Sequence, residues 1–377
     1  MSPRVLIHVQ HLLGVGHLQR AAILADSLDA AGASVTLVSG GFPAPQILTR
    51  PGVRLEQLPP ARAADASFTT LLDGDGNPLS DAWKAERQAR LLALHDAIRP
   101  DALVTELFPL GRRQFRGELL TLLQHARPTV RLVACSVRDI VNRRPKREAE
   151  ALDWLDRFYD LLLVHADPAL VRIEDSVPGI GRFRGDVVHT GYISRPGRNR
   201  AAPAPSGEVL VAAGGGAAGE KLFAAAAAAR PLSAARVRTW RFRHGRETDP
   251  ARVGSWRNAA GDGAILEPVA PDFIDRMAAA AVVVCQLGYN TATELLATGT
   301  RAVIVPFAGG SETEQERRAA HFARLGYTVI AERDLDPVGL AHAVDAALAA
   351  PPPPVSRVDL DGARIATEAI LGRLART

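Results

Sequence analysis

Short apolar, β-branched runs alternate with longer amphipathic periods along the whole chain. In the first half the runs are Val5 to Val9, Ser34 to Ser39, Ala102 to Thr105, Val130 to Ser136, Leu161 to Val164 and Asp186 to His189. Each has the length and β-branched content of a buried strand. Between them lie segments of helical spacing. In Leu18 to Ala31, the residues Leu18, Ala21, Leu24, Ala25 and Leu28 fall on one face. Strands that alternate with helices predict a parallel sheet covered on both sides.

A break follows at residues 195–207, where Pro, Gly and charge make regular structure unfavourable. The alternation then restarts with Glu208 to Ala212, the glycine loop Gly214-Gly215-Gly216 and a helix through Leu222 to Ala229. It continues through Val237 to Arg241, Ala264 to Leu266, Ala281 to Cys285, Arg301 to Val305 and Tyr327 to Ile330. Pro351 to Pro354 closes this second series, and an amphipathic helix at Ala363 to Leu374 ends the chain. The pattern predicts an α/β protein of two Rossmann-like domains whose parallel sheets face a central cleft. Residues 1–198 form the N-terminal, acceptor-side domain, 199–355 the C-terminal, donor-side domain, and 356–377 a terminal helix expected to pack back on the first domain.

Composition narrows the function classes. The 377 residues are 47% hydrophobic, enough for packed cores. The net charge of +4 is too small, and too dispersed, for a nucleic-acid partner, which calls for a concentrated basic stripe. Local clusters do occur at Arg112, Arg113 and Arg116 and at Arg143, Arg144, Lys146 and Arg147. They suit a solvated helix face, an anionic acceptor or, at most, peripheral contact with a membrane surface. Cys135 and Cys285 each end an apolar run, as buried thiols of a reducing compartment do, and cannot build a disulfide framework or a zinc site. The chain enters a strand at Arg4 without the continuous apolar core of a signal peptide, and no run approaches the ~20 apolar residues of a spanning segment, so a cytoplasmic protein is expected. Asp73-Gly74-Asp75-Gly76-Asn77-Pro78 starts like a calcium loop, but Pro78 and Lys84 stand where such a loop needs its glycine and its bidentate acid, which predicts a glycine turn instead.

The candidate chemistry lies at strand ends, where loops of such sheets face ligands. Gly14-Val15-Gly16-His17 joins the first strand to the first helix. At a helix N-terminus an imidazolium is disfavoured, so His17 is expected to be a neutral base near pH 7, or else a helix cap. Glu106 and Asp139 end two other strands on the same rim. Either can orient His17 or bind acceptor hydroxyls, and either can form a structural ion pair with Arg112, Arg113 or Arg138. In the second half, Gly214-Gly215-Gly216 and Gly288-Tyr289-Asn290-Thr291 both follow a strand and precede a helix, giving two helix N-termini for one diphosphate. Glu294, read as lying in the first turn of the second of these helices, can accept both vicinal hydroxyls of a ribose or stabilise the helix dipole. Glu314 and Gln315, after Pro306-Phe307, can reach sugar hydroxyls or start an exposed polar helix.

These residues carry a family resemblance. Cys285-x-x-Gly288-x-x-Thr291-x-x-Glu294, followed by Gly299, Val305-Pro306-Phe307, Gln315 and Ala319, resembles the donor-binding half of the N-acetylglucosaminyltransferases that complete the peptidoglycan lipid precursor. Asp272-Phe273-Ile274-Asp275-Arg276-Met277 is similar to the segment that contacts uracil there, and His189 to Pro196 to the interdomain segment that supplies an arginine, here Arg195. Gly14-x-Gly16-His17-x-x-Arg20 is shared in style with these transferases and with UDP-sugar hydrolases of nonulosonic acid synthesis. Thr105 to Arg113 and Ser136 to Ile140 look more like bacterial glycosyltransferases of undefined acceptor. The resemblance departs at Tyr289, which stands where the phosphate turn has a small residue.

The resemblance implies the GT-B fold and usually metal-independent sugar transfer, with a UDP-sugar as substrate and no further cofactor. Retaining members of the fold often carry two glutamates, and the corresponding pair here is Gln286 and Glu294, which points to inversion. The expectation is an inverting transferase in which His17 deprotonates an acceptor, anionic or lipid-linked, helped by Glu106 or Asp139. The donor is expected at Gly16, Arg195, Gly214, Gly215, Gly216, Phe273, Ile274, Gly288, Tyr289, Asn290, Thr291, Glu294, Glu314 and Gln315. A UDP-sugar hydrolase or epimerase, and a non-catalytic sugar-nucleotide-binding protein, are the alternatives on the same scaffold.

Overall fold

The computed structural model describes residues 2–65, 68–142, 145–194, 204–213, 219–246, 248–270, 272–309, 313–354 and 358–376. The chain divides into two compact units, Met1–Arg195 with Val358–Thr377, and Pro196–Arg357.

In the first unit the strands β1 (Arg4–Val9), β2 (Ser34–Ser39), β3 (Arg54–Gln57), β6 (Ala102–Glu106), β7 (Leu132–Arg138), β8 (Leu161–His165) and β9 (Asp186–His189) make a seven-stranded sheet in the order β3-β2-β1-β6-β7-β8-β9. Every neighbouring pair is parallel, with Val5 opposite Ala102 and Glu106 opposite Ser136. The order runs outward from β1 in one direction and from β6 in the other. Their carboxyl ends therefore flank the topological switch point, where open α/β sheets bind ligands.

β3 escapes the sequence pattern because its Arg-Leu-Glu-Gln is exposed to half-buried, as an edge strand can be. A short antiparallel hairpin, β4 (Arg62–Ala63) with β5 (Leu71–Leu72), is also absent from the pattern. It leads into the turn at residues 73–77, where the Asp73 carboxylate accepts the N–H groups of Asp75 and Asn77 at 3.0 and 2.9 Å.

Helix α1 (Gly16–Ala30) buries Leu18, Ala21, Leu24, Ala25 and Leu28 against this sheet. The last helix, α11 (Gly362–Leu374), adds Ala366, Ile370 and Leu374 to the same core, and its Thr367 hydroxyl donates to Ser27 of α1 at 2.8 Å. The chain reaches it through a tight crossing. Tyr192 N donates to Asp359 O at 2.7 Å, and a Cβ on Gly362 would lie 2.4 Å from the carbonyl of Gly191, itself left-handed at φ 78°. Glycine is required at both positions.

In the second unit β10 (Val209–Ala212), β11 (Trp240–His244), β12 (Ala264–Pro268), β13 (Val282–Cys285), β14 (Ala302–Ile304) and β15 (Thr328–Val329) form a six-stranded parallel sheet in the order β12-β11-β10-β13-β14-β15. This is again a doubly wound order, with the switch point between β10 and β13. β11 starts three residues beyond its predicted place. The sequence hides it, because Arg241 and Arg243 are buried in the strand as ion pairs with Glu208, Glu267 and Asp272, whereas Val237 is exposed in the preceding turn. Among the described residues no helix is long and apolar enough to cross a membrane.

Candidate functional site

In the first unit the switch point brings together residues from distant parts of the sequence. His17 is the second residue of α1, which begins directly beyond the loop after β1, and Glu106 is the last residue of β6. Because β1 and β6 are paired, the imidazole and the carboxylate meet, with His17 Nδ1 2.8 Å from Glu106 Oε2. Arg20, three residues on along the same face of α1, donates from Nη2 to Glu106 Oε1 and lies 3.3 Å from His17 Nδ1. Glu106 and Arg20 are buried, and the His17 side chain is 13% exposed.

Electrostatics assign the protonation states. Burial would raise the Glu106 carboxyl, but the charges of Arg20 and Arg112 and the hydrogen bond from His17 hold it well below the usual carboxylate range. Burial pushes His17 well below its ordinary value, Arg112 and Arg138 add to that, and Glu106 opposes it. His17 is therefore neutral at pH 7, with burial as the leading cause. An ionised carboxylate only accepts, so Nδ1 carries the hydrogen and Nε2 the lone pair. The capping alternative does not describe the structure: Val15 occupies the cap position and no side chain caps α1.

The loop after β6 is held rigidly around Glu106. Leu107 and Arg112 adopt left-handed backbone at φ 67° and 57°, which costs side-chain-bearing residues about 1–3 kcal/mol each. The Phe108 carbonyl accepts from both Thr105 and Tyr159 at 3.0 Å, and Arg112 Nε donates to Gln10 O at 2.7 Å. Arg113, one of the anticipated ion-pair partners of Glu106, pairs with Glu150 at 2.7 Å instead. Asp139 is fully buried and accepts the N–H of Ile140 at 2.8 Å. The carboxylate hydrogen-bonded to His17 is that of Glu106. Sequence reasoning named Arg20 only as part of the Gly14-x-Gly16-His17-x-x-Arg20 motif and gave it no role, although its i, i+3 spacing from His17 was the available signal.

In the second unit Gly288 precedes helix α8 (Tyr289–Thr298) at the end of β13, with ordinary extended backbone and open space where a Cβ would stand. Neither φ nor packing within this chain requires glycine there. The first turn of α8 has no acidic side chain, so its N-terminal partial charge is not neutralised from within the helix. Tyr289 is buried, whereas Asn290 and Thr291 are half-buried. Glu294 is the sixth residue of α8, in its second turn rather than its first, so the dipole role does not apply. It is half-buried, and its charge contributes to raising the buried Cys285 thiol to about 12, after burial itself.

Helix α9 (Glu314–Arg324) fixes the loop in front of α8. Gln315 Oε1 accepts the N–H groups of Leu287 at 2.9 Å and Phe307 at 3.1 Å, and Arg318 Nη1 donates to Leu287 O at 2.9 Å. Both sides of the residue before Gly288 are thereby held. Glu314 and Arg318 are buried and 3.9 Å apart, so α9 does not begin as the exposed polar helix that the sequence allowed, and Gln315's amide oxygen is engaged by backbone rather than left for a sugar. Arg318 is the residue that sequence reasoning missed here. Phe273 and Ile274 open helix α7 (Phe273–Ala279) and are half-buried, behind an Asp272 that pairs with Arg243 and Arg276 at 3.0 and 2.8 Å. Arg195, Gly214, Gly215 and Gly216, with Arg143 and Arg144, lie outside the described residues.

Residues 218–357 match the glycosyltransferase family 28 C-terminal domain. The chain is 38% identical over 78 residues to the UDP-N-acetylglucosamine--N-acetylmuramyl-(pentapeptide) pyrophosphoryl-undecaprenol N-acetylglucosamine transferase of Burkholderia orbicola, a match covering 20% of this chain and 21% of that one. It is 36% identical over 93 residues to the Xanthomonas axonopodis enzyme of the same name, covering 24% of this chain and 22% of that one. The chain thus spans about a fifth of the length of these curated relatives. Solved structures match along the whole chain. The glycosyltransferase of kitacinnamycin aligns with a TM-score of 0.67 at 17% identity, covering 99% of this chain and 100% of that one. MurG of Acinetobacter baumannii aligns at 0.58 and 14%, covering 100% of each. The fold is GT-B, two Rossmann-like domains, and the chain resembles GT-B glycosyltransferases, with the family 28 likeness in its second unit.

Proposed function

We propose that this chain is a glycosyltransferase that moves a sugar from a UDP-sugar to an acceptor hydroxyl, with inversion at the anomeric carbon and without a metal ion. The observation that carries the reading is the 2.8 Å contact between His17 Nδ1 and Glu106 Oε2, which gives a neutral imidazole a fixed tautomer and a basic Nε2. Nε2 takes the proton of the hydroxyl as its oxygen attacks the anomeric carbon. The bond from that carbon to the diphosphate oxygen breaks, and the nucleoside diphosphate departs. Glu106 then stabilises the imidazolium. Arg112 and Arg138, whose charges act on His17, favour an anionic acceptor.

The second unit holds the donor in this reading. The N-terminus of α8, whose first turn carries no acidic side chain, receives the diphosphate with Gly288, Asn290 and Thr291, helped by Gly214, Gly215, Gly216 and Arg195. The charge that a metal would neutralise in other enzymes is met by helix dipoles and arginine. Glu294 accepts the ribose hydroxyls, as its place six residues beyond Gly288 in the resembling motif implies. Peptidoglycan-precursor transfer is the activity named for relatives that match only a fifth of this chain's length. The free, buried Cys135 and Cys285 agree with a reducing, cytoplasmic setting.

The test is product analysis after incubation with UDP- and dTDP-sugars, with and without acceptor alcohols. A new glycoside of inverted anomeric configuration, formed fastest from a UDP-sugar, is expected. Release of free sugar at an undiminished rate without acceptor identifies a hydrolase and overturns the transferase reading, and a retained configuration overturns the inverting mechanism.

A further inference from the structure

We infer that His95, Asp96 and His125 form a binding site for a divalent transition-metal ion of the zinc class, at the end of the first unit's sheet opposite to His17. Helix α2 (Asp81–Ile98) and helix α3 (Arg116–Ala126) pack side by side and run in the same direction. Near their beginnings Arg87 of α2 pairs with Glu118 of α3 at 2.8 Å. Their last turns bring His95 and Asp96 together with His125. The chain leaves α2 for the start of β6 and α3 for the start of β7, so both helix ends lie at the amino edge of the sheet, whereas Glu106 ends β6 at the other edge.

The cluster has the composition and spacing of a metal site. Asp96 Oδ1 lies 3.2 Å from His95 Nδ1 and 2.6 Å from His125 Nε2, and the three donor atoms are all within 4.8 Å of one another. Ligands held at about 2.0–2.1 Å by a tetrahedral ion are about 3.3 Å apart, so the His95–Asp96 edge already fits and the Asp96–His125 edge must widen. The exposures allow that movement: His95 is anchored at 4% exposed, while Asp96 is 60% and His125 41% exposed. His95 Nε2 is buried with no hydrogen-bond partner, so Nδ1 is the nitrogen presented to Asp96.

Two imidazoles and one carboxylate select Zn²⁺, Ni²⁺ or Cu²⁺ over Mg²⁺ and Ca²⁺, with solvent completing the shell. Both helices end at this point, and the partial negative charge of each C-terminus favours a cation. A simple hydrogen-bonded trio explains the short contacts equally well but gives no preference among metals. The bound ion would tie α2 to α3 beyond the Arg87–Glu118 pair, and a ligand held only by the folded state raises the melting temperature. Adjacent His95 and Asp96 show no ligand spacing in the sequence, and the third ligand is 29 residues from Asp96.

The experiment uses the full chain stripped of metal. Micromolar Zn²⁺, but not Mg²⁺, is expected to raise its melting temperature, and Co²⁺ to give the visible absorption of a low-coordinate site. His125→Ala and Asp96→Asn, at exposed positions, are expected to melt like the metal-free parent and to lose both responses. Absence of a Zn²⁺ shift in the parent, or the same shift and absorption in both variants, overturns the site. Turnover is not the readout, so either outcome leaves the proposed sugar transfer untouched.

Discussion

His17 and Glu106, 89 residues apart in sequence, stand 2.8 Å apart because β1 and β6 are the paired strands at which the strand order of the first sheet reverses. The contact fixes one tautomer of the imidazole, and the buried Arg20 keeps the carboxylate charged.

If this pair generates the base, His17→Ala is expected to fold and to bind UDP as the parent does, and to lose about 10²–10⁴-fold in turnover. Glu106→Gln is expected to lose turnover as well and also to melt at lower temperature, because Arg20 is left buried beside a neutral amide. Parallel kinetics and thermal melts separate the two effects. Near-normal turnover in a stable His17→Ala protein would end the role of this histidine as base.

Acid should destabilise the first unit below about pH 6.5, the unperturbed histidine value. Burial is the leading cause that lowers His8 to about 3, His11 to about 4 and His165 to about 3, and it lowers His17 as well. A histidine depressed in the folded state binds a proton more readily when unfolded, so stability is full above the unfolded value and falls as pH drops toward the folded one. Each such group contributes at most about 1.4 kcal/mol per pH unit in that window. Denaturant midpoints from pH 7 to 5 measure the slope, and a flat profile would show that these rings can charge while the protein stays folded.

Glu294→Ala is expected to weaken UDP binding by about 1–3 kcal/mol, as loss of a charged hydrogen bond does. Calorimetry with UDP and with 2′-deoxy-UDP checks it: the parent should discriminate between them and the variant should not. Equal discrimination in both proteins removes Glu294 from the ribose.

Gln315→Leu leaves the N–H groups of Leu287 and Phe307 without their acceptor, at a cost of about 1–3 kcal/mol. If Gln315 acts by positioning the loop before Gly288, UDP and UDP-sugar should weaken together and the melting temperature should fall. A loss confined to the UDP-sugar would mean that the side chain touches the sugar after all.

EDTA is expected to leave turnover unchanged at temperatures where the metal-free protein is folded, since helix N-termini and arginine are proposed to carry the leaving-group charge. Initial rates before and after chelation, with Mg²⁺ or Mn²⁺ added back, decide this. Strict dependence on added metal would exclude the proposed mechanism of leaving-group stabilisation.

Much of the fold was legible because it is locally encoded. Apolar runs at Ser34 to Ser39 and Asp186 to His189 coincide with β2 and β9, and the break at 195–207 contains the point where the chain passes from one unit to the next. Strand-end positions of His17, Glu106 and Gly288 were readable for the same reason: a strand followed by a loop and a helix has a direction, and in a parallel sheet that direction decides which edge a loop reaches. Tertiary structure decided which of those groups meet. Glu106 rather than Asp139 bonds His17, because strand order is a long-range property that no local period records. Burial likewise determined the charges, by placing Arg20, Arg241 and Arg318 inside, where their signs in the sequence suggested solvent. An arginine enters a core only where carboxylates or carbonyls from distant segments satisfy it, and those partners exist only once the chain has folded.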